Sequence, residues 1–196
     1  MPTLPLVLAS GSPRRRQLLG EAGVAIEIVT PRVDESAAPG EAPEALAVRL
    51  ARDKALEVAR RLGPEPERTV LGADTIVVVD GCVLGKPDDA AHAVRLLERI
   101  TGREHVVITG VAVASSATLA ARSAAVRSTV TMHPASRAEI EAYVATGESL
   151  DKAGAYAVQG EGRRFVAKVE GSETNVIGLP VEETLALLRE AGVGAP

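Results

Sequence analysis

The chain has 196 residues, of which 46% are hydrophobic and 24% charged, and this balance excludes a disordered or fibrous protein. A formal net charge of −4 argues against a surface that attracts nucleic acid, and an aromatic content of 2% leaves few side chains on which bases could stack. The single cysteine, Cys82, excludes an intramolecular disulfide and favours a reducing compartment. The apolar stretch at 4–9 is too short for a signal peptide or a membrane span, so we expect a cytoplasmic protein without a membrane partner.

The first half of the chain alternates apolar runs with helix signals. Residues 4–9 predict a short buried strand, which leads into a helix capped by Ser12 and ended by Gly23. A second strand is predicted at 24–29. An apolar stripe with helical spacing then predicts a long helix over 43–62.

The second half begins with a hairpin signal, because Asp80-Gly81 is a favoured two-residue turn between strands over 70–79 and 82–84. The remaining elements are predicted in this order: a helix over 87–100, strands over 106–114 and 120–132, a helix over 136–147, a loop with short strands over 150–178, and a helix over 181–191. This alternation indicates an α/β fold with a mixed, twisted central sheet flanked by helices. We find no internal repeat, and we expect a single domain over 1–196.

The first turn from strand to helix, Ser10-Gly11-Ser12-Pro13-Arg14-Arg15, has the features of an anion site. A helix N-terminus presents backbone N–H groups and the positive end of the helix dipole. Arg14 and Arg15 oppose the usual preference for acidic residues there, and a bound anion would relieve that cost. A capped helix with exposed arginines explains the sequence equally well.

Asp74 is an unusual residue for an apolar strand, where it shares a face with Ile76 and Val78. A buried carboxylate requires compensation by a metal ion, a basic partner or a catalytic role. Alternatively, Gly72 bends or ends the strand and Asp74 lies in solvent.

Two lysines accompany this aspartate. Lys54 lies in the apolar stripe of the long helix, where it either extends along the stripe to solvent or enters a polar cleft. The hairpin register places Lys86 opposite Thr75 and diagonal to Asp74, as a structural ion pair or a phosphate ligand. Asp34 and Glu35 follow the second strand, where they are either metal ligands or charged surface residues.

Six sequence blocks, in this order along the chain, resemble the Maf family, the septum-formation-inhibitor-like nucleotide pyrophosphatases. The blocks are LASGSPRR at 8–15, LARDKA at 50–55, LGADT at 71–75, GKP at 85–87, DKAGAYAVQG at 151–160 and NVIGLP at 175–180. The AYAVQG part resembles the branch that prefers dTTP and UTP, including modified pyrimidine nucleotides. Residues 171–175 depart from that branch, because Glu173-Thr174 replaces a common aromatic pair.

The resemblance implies two lobes around a central cleft and hydrolysis of a nucleoside triphosphate to the monophosphate and pyrophosphate with Mg²⁺ or Mn²⁺. It assigns proton acceptance to Asp74 and base selection to Arg14, Thr75 and Gln159. The Gln159 amide carries both a donor and an acceptor, which suits the imide edge of a pyrimidine. We expect the phosphate and metal site to contain Ser10, Ser12, Arg15, Lys54 and Lys86 as phosphate ligands, and Glu35 with Asp74 as metal ligands.

Two competing hypotheses belong to other classes of protein. One is a nucleotide-binding regulator of septum formation without essential catalysis, against which the intact Asp74, Lys54 and Lys86 weigh. The other is a nucleic-acid-binding module that uses Arg14–Arg16, against which the acidic net charge and the few aromatic residues weigh. The resemblance leaves a homodimer open, and no nucleic-acid partner is expected.

Overall fold

The computed structural model describes residues 5–193, and over this range the chain forms seven strands and six α-helices. The strands are β1 (Leu6–Ala9), β2 (Ile26–Ile28), β3 (Thr69–Val79), β4 (Cys82–Leu84), β5 (Glu104–Ser115), β6 (Ala121–Met132) and β7 (Val166–Glu170). The helices are α1 (Pro13–Glu21), α2 (Pro43–Leu62), α3 (Ala90–Ile100), α4 (Arg137–Val144), α5 (Glu173–Ile177) and α6 (Val181–Glu190).

The strands form one sheet in the order β2-β1-β3-β5-β6-β7, with β4 paired to β3. β1 runs parallel to both β2 and β3, whereas the β3–β4 and β6–β7 pairs are antiparallel. The prediction of an α/β fold with a mixed sheet flanked by helices is therefore confirmed.

The chain divides into two compact units. In the described range the first unit comprises residues 5–74, 109–126 and 178–193. Its core contains buried aliphatic side chains of β1, α2, β3 and β5. The second unit comprises residues 75–108 and 127–177, and its core contains buried side chains of α3 and α4, including Tyr143, together with Phe165.

Several local predictions are confirmed because short-range chemistry determines them. Helix α2 has the predicted bounds, and the hairpin pairs Val79 with Cys82 across Asp80 and Gly81, both at positive φ. Ser136 and Glu139 form the predicted capping box. Helix α3 begins later than predicted, because the Asp89 side chain rather than Pro87 starts it as the cap. The first predicted strand is found as β1, and Leu4 lies outside the described residues.

The prediction of short strands over 150–178 is wrong except for β7. This segment instead contains two 3₁₀ turns, Ala153–Ala155 and Gly160–Phe165, followed by β7 and α5. Ala155 and the glycines 154 and 160 have positive φ, which an extended strand cannot contain.

Two glycines allow α2 to approach the sheet closely within the first unit. A Cβ placed on Gly72 of β3 would lie 2.2 Å from the Ala51 carbonyl oxygen of α2. A Cβ on Gly110 of β5 would lie 2.2 Å from the Ala47 carbonyl oxygen. Since these contacts are with helix backbone, any side chain at either position would push the helix away from the sheet.

Over residues 5–193, no helix has the length and apolar character needed to cross a membrane.

Candidate functional site

The Lys54 ammonium lies between two carboxylates of the first unit. Its Nζ is 2.6 Å from Oδ1 of Asp74 and 2.6 Å from Oε1 of Glu35. The side chains of Lys54 and Asp74 are 7% and 11% exposed, whereas that of Glu35 is 55% exposed. The three residues come from helix α2, strand β3 and the loop after β2, so a continuous sequence motif cannot produce this cluster.

This geometry decides between the alternatives that the sequence left open. Lys54 does not extend along the helix to solvent, because the apolar stripe carries it inward to a buried carboxylate. Asp74 is not a solvated strand end, since β3 continues past it to Val79. The close approach at Gly72, two residues before Asp74, brings α2 near enough for the lysine to reach the strand.

The turn between β1 and α1 forms a second polar cluster in the same unit. The buried Ser10 hydroxyl oxygen accepts hydrogen bonds from the Ser12 N–H at 3.2 Å and from Nη1 of Arg15 at 3.1 Å. The Ser12 hydroxyl oxygen caps α1 by accepting from the Arg15 N–H at 3.5 Å. The N–H groups of Ser12 and Arg15 thus already donate within the turn.

The Arg15 guanidinium is held on two sides and shares the electrostatic environment of the carboxylates. Its Nε donates to the Gly178 carbonyl oxygen at 2.8 Å, in addition to the contact with Ser10. Burial lowers the pKa of Arg15 below its ordinary value, and the negative charge of Asp74 opposes that shift. Helix α1 has no acidic residue in its first turn, so the charge near this helix end is positive.

The carboxylate oxygens near Lys54 could supply only some of the ligands that a divalent cation needs. The Glu35 and Asp74 oxygens that contact Nζ are no more than twice 2.6 Å apart, and hard cations such as Mg²⁺ prefer oxygen ligands. Within residues 5–193, no group of three or more His, Cys, Asp or Glu side chains could hold a metal ion. Two carboxylates alone suit only a divalent cation that takes its other ligands from water or a bound substrate.

Lys86 belongs to the second unit, and the predicted pairing opposite Thr75 is wrong. The ladder of the hairpin runs from Val79 and Cys82 to Val77 and Leu84, where β4 ends. Beyond it the Gly85 carbonyl oxygen accepts a hydrogen bond from the Gly154 N–H at 3.1 Å. The chain thus leaves the ladder at Gly85 and brings the GKP block to the DKAGAY block.

The residues assigned to base selection are divided between the units. Arg14 lies in the first turn of α1, in the first unit, while Thr75 and Gln159 belong to the second. Gln159 is exposed and directly precedes the 3₁₀ turn Gly160–Phe165. The roles assigned to these three residues, as to Lys86, stay predictions.

The segment that departs from the related branch forms helix α5. Asn175 is buried there, and its Nδ2 donates to the Val107 carbonyl oxygen at 3.2 Å and to the Ser128 hydroxyl at 2.9 Å. Glu173 is exposed and Thr174 is half-buried. The replaced positions therefore lie outside the core of the second unit, while the neighbouring asparagine joins α5 to β5 and β6.

Sequence reasoning missed the residues that act through backbone contacts. Gly72 and Gly110 position α2, and the Gly178 carbonyl anchors Arg15, but no functional role was assigned to these glycines. A glycine inside an otherwise apolar strand was the available signal for the first two, since it often marks a close backbone approach.

Comparison with known proteins gives a consistent result. The model of the family described as Maf-like protein matches residues 5–191. The chain is 49% identical over 193 residues to a dTTP/UTP pyrophosphatase of Anaeromyxobacter dehalogenans strain 2CP-C, with 97% of this chain and 96% of the relative covered. It is 47% identical over 187 residues to a dTTP/UTP pyrophosphatase of Geobacter metallireducens, with 95% and 96% covered. A protein of the same description from Burkholderia pseudomallei strain 1710b is 45% identical over 201 residues, with 98% and 96% covered.

Proposed function

Because this chain belongs to the Maf-like protein family, we propose that it hydrolyses dTTP and UTP to the monophosphate and pyrophosphate. Relatives that align over nearly their whole length and carry that activity in their names support the proposal. The observation that carries the chemistry is the buried ion pair of Lys54 and Asp74, with Glu35 on the same ammonium. A protein that only binds nucleotides has no need of a carboxylate oriented in this way.

Charge neutralisation is the first task of the site, since a nucleoside triphosphate carries about four negative charges. Arg14 and Arg15 place two positive charges at the N-terminal end of α1, where the helix dipole adds to them. Lys54 supplies a third, and the family resemblance assigns a fourth to Lys86. Ser10 and Ser12 shape the turn that holds Arg15 in place and offer hydroxyl groups to phosphate oxygens.

Asp74 is the proton acceptor in this proposal. Lys54 holds one of its carboxylate oxygens at 2.6 Å, which fixes the direction of the group. The carboxylate takes a proton from a water molecule as that water attacks the α-phosphorus in line. The bond from the α-phosphorus to the bridging oxygen breaks, and pyrophosphate leaves with the electron pair.

A divalent cation fits beside this carboxylate, with Glu35 and Asp74 as its protein ligands. When bound, Mg²⁺ or Mn²⁺ would neutralise phosphate charge and lower the cost of charge build-up on the leaving group. Lys54 would keep its contact with Asp74 and give up the one with the more exposed Glu35, so that its ammonium could also donate to a phosphate oxygen.

Base selection is the proposed role of Arg14, Thr75 and Gln159. The exposed Gln159 amide offers one donor and one acceptor, as the imide edge of thymine or uracil requires. We treat residues 1–196 as one catalytic domain that acts in the cytoplasm on nucleotides rather than on nucleic acids or membranes. A homodimer is compatible with this proposal.

A panel of canonical and modified nucleoside triphosphates, assayed for pyrophosphate release with Mg²⁺ and with Mn²⁺, tests the substrate. We expect dTTP and UTP to give the highest kcat/KM. A preference for a methylated GTP would overturn the pyrimidine assignment and leave the reaction intact.

The variant Asp74→Asn tests the reaction itself. Asparagine keeps an oxygen that can accept from Lys54 but cannot take a proton, so kcat should fall by about 10²–10⁴-fold while nucleotide binding persists. Asp88→Asn is the matched control, because that carboxylate is exposed and pairs only with His92 among the described contacts. Turnover by D74N near the wild-type rate would favour a nucleotide-binding regulator instead.

A further inference from the structure

The 3₁₀ turn Gly160–Phe165 begins without help from the side chain that precedes it. Gln159 occupies the capping position, but its side chain makes no capping hydrogen bond. The Glu148 carboxylate does so instead, because its oxygens accept from the Glu161 N–H at 3.0 Å and from the Gly162 N–H at 3.1 Å. A carboxylate from outside the turn thus satisfies the first N–H groups, which a capping side chain would ordinarily bind.

Glu148 is itself held in place by the core of the second unit. The hydroxyl of Tyr143, a fully buried residue of α4, donates to Oε1 of Glu148 at 3.1 Å. Burial tends to raise the pKa of Glu148, but the N–H groups of Glu161 and Gly162 and the Tyr143 hydroxyl outweigh it and lower the pKa below its ordinary value. The carboxylate therefore stays ionised at neutral pH and accepts all three donors.

The backbone fits closely around this carboxylate. Gly160 has φ +66°, and a Cβ placed there would lie 2.6 Å from Oε2 of Glu148. A Cβ on Gly162 would lie 2.6 Å from the Ala157 carbonyl oxygen and 2.7 Å from the Tyr143 hydroxyl. A side chain at residue 162 would therefore collide with the backbone of Ala157, and one at residue 160 would displace the Glu148 carboxylate and strain the backbone.

We propose that Glu148 is a positioning residue for base selection, because it caps the turn after Gln159 and leaves the Gln159 amide available to the base. The proposal rests on the proposed function, which assigns base selection to Gln159. A side chain discriminates between bases only if its donor and acceptor are held in one place, since an unordered amide must lose entropy on binding. Glu148 holds the backbone N–H groups of Glu161 and Gly162, two and three residues after the one from which that amide extends.

The test measures kcat and KM for dTTP and for dCTP, which lacks the imide N–H. In Glu148→Ala we expect the preference for dTTP to fall about tenfold through a higher KM, with kcat for dTTP within about twofold of wild type. Glu148→Gln keeps one acceptor oxygen and should show a smaller loss. Partial unfolding would lower both substrates' rates equally, so the ratio reports positioning rather than the amount of folded protein.

Two further variants make the result specific. Glu161→Gln is the matched control, because that exposed side chain lies in the same turn and only its backbone N–H contacts Glu148. If Glu148 acts through Gln159, then Gln159→Ala removes the preference and adding E148A to it changes the ratio no further.

The outcomes separate the two proposals. If wild type shows no preference for dTTP, or if Q159A retains that preference, the assignment of Gln159 fails and the inference fails with it. If Q159A loses the preference while both E148A and E148Q keep it, the role of Glu148 alone is overturned. Independent, additive losses in the double variant would also overturn it.

Discussion

Asp74 and Glu148 are two carboxylates that the fold holds by different means. The Lys54 ammonium compensates Asp74, and it contacts Glu35 as well. The hydrogen bonds to Glu148 come from neutral donors, namely two backbone N–H groups and the Tyr143 hydroxyl, and the charge of Lys152 adds to them. A cation can be drawn away by a more negative ligand, whereas backbone donors cannot leave without unfolding their segment. The charged arrangement suits a reacting group, and the neutral one suits a fixed support.

The largest expected effect comes from removing the cation of the first unit. Lys54→Met leaves Asp74 buried without its ammonium, so we expect the free energy of unfolding to fall by about 3–5 kcal/mol in urea titrations. Pyrophosphate release should fall as well, since the same variant removes a phosphate ligand.

Replacing both partners sharpens that test. In the double variant Lys54→Met with Asp74→Leu, stability should return to within about 1–2 kcal/mol of wild type, because no unpaired charge stays buried. A single variant as stable as wild type would contradict the view that Asp74 depends on the ammonium.

Gly72→Ala tests how closely helix and strand must approach to maintain the pair. The new Cβ would meet the backbone of Ala51 and Ala55, so the helix must shift, and we expect a loss of about 1–3 kcal/mol in unfolding free energy together with lower activity. Gly20→Ala is the matched control on α1, where a Cβ would meet nothing within 4 Å. It should be neutral or slightly stabilising.

Glu35→Gln weakens the exposed side of the charged cluster. Since its carboxylate is half in solvent, stability should change little. The Mg²⁺ concentration that gives half-maximal activity should rise by about tenfold, which is typical when a group supporting a metal is lost. Unchanged metal dependence would remove Glu35 from the proposed ligands.

The smallest expected effect is the pH dependence of stability that comes from His105, a buried residue of the second unit. Burial lowers the pKa of His105 to about 4, and its Nε2 lies 2.7 Å from the Tyr156 hydroxyl. The unfolded chain binds a proton on this histidine more readily than the folded one, so stability is lost as the pH falls below about 6.5. The loss should reach about 1 kcal/mol by pH 5.5.

His105→Gln should remove that part of the pH dependence, because an amide can still bond to Tyr156 but does not titrate. Urea unfolding at pH 7 and at pH 5.5 measures the difference for both proteins. If the free energy of unfolding falls equally between pH 7 and pH 5.5 in the variant and the wild type, His105 is not the titrating group.

The sequence predicted the elements whose causes are local and missed the contacts that depend on packing. The bounds of α2 and the Asp80-Gly81 hairpin follow from residues within a few positions of each other. The partner of Lys54 does not, because the helix–strand spacing set by Gly72 decides which side chains meet. The pairing of Lys86 failed for a related reason, since a contact with a distant segment ended the ladder at Leu84.

The candidate site shows the same division. The family resemblance selected Asp74, Lys54 and Glu35, and the Lys54 ammonium contacts both carboxylates. Glu148 was missed, because only the two glycines of the later turn, Gly160 and Gly162, hint at a close contact there. Its contacts with the later turn depend on how residues 148–162 fold, which periodicity does not reveal.

The contact between Arg15 and Gly178 has a consequence for synthesis on the ribosome. The Gly178 carbonyl holds the guanidinium of a turn that is translated 163 residues earlier. Domains are made from the N-terminus onward, so a further 163 residues must be made before this arginine is anchored. A nascent chain released before residue 178 would carry every cationic residue of the proposed site but not the carbonyl that anchors Arg15.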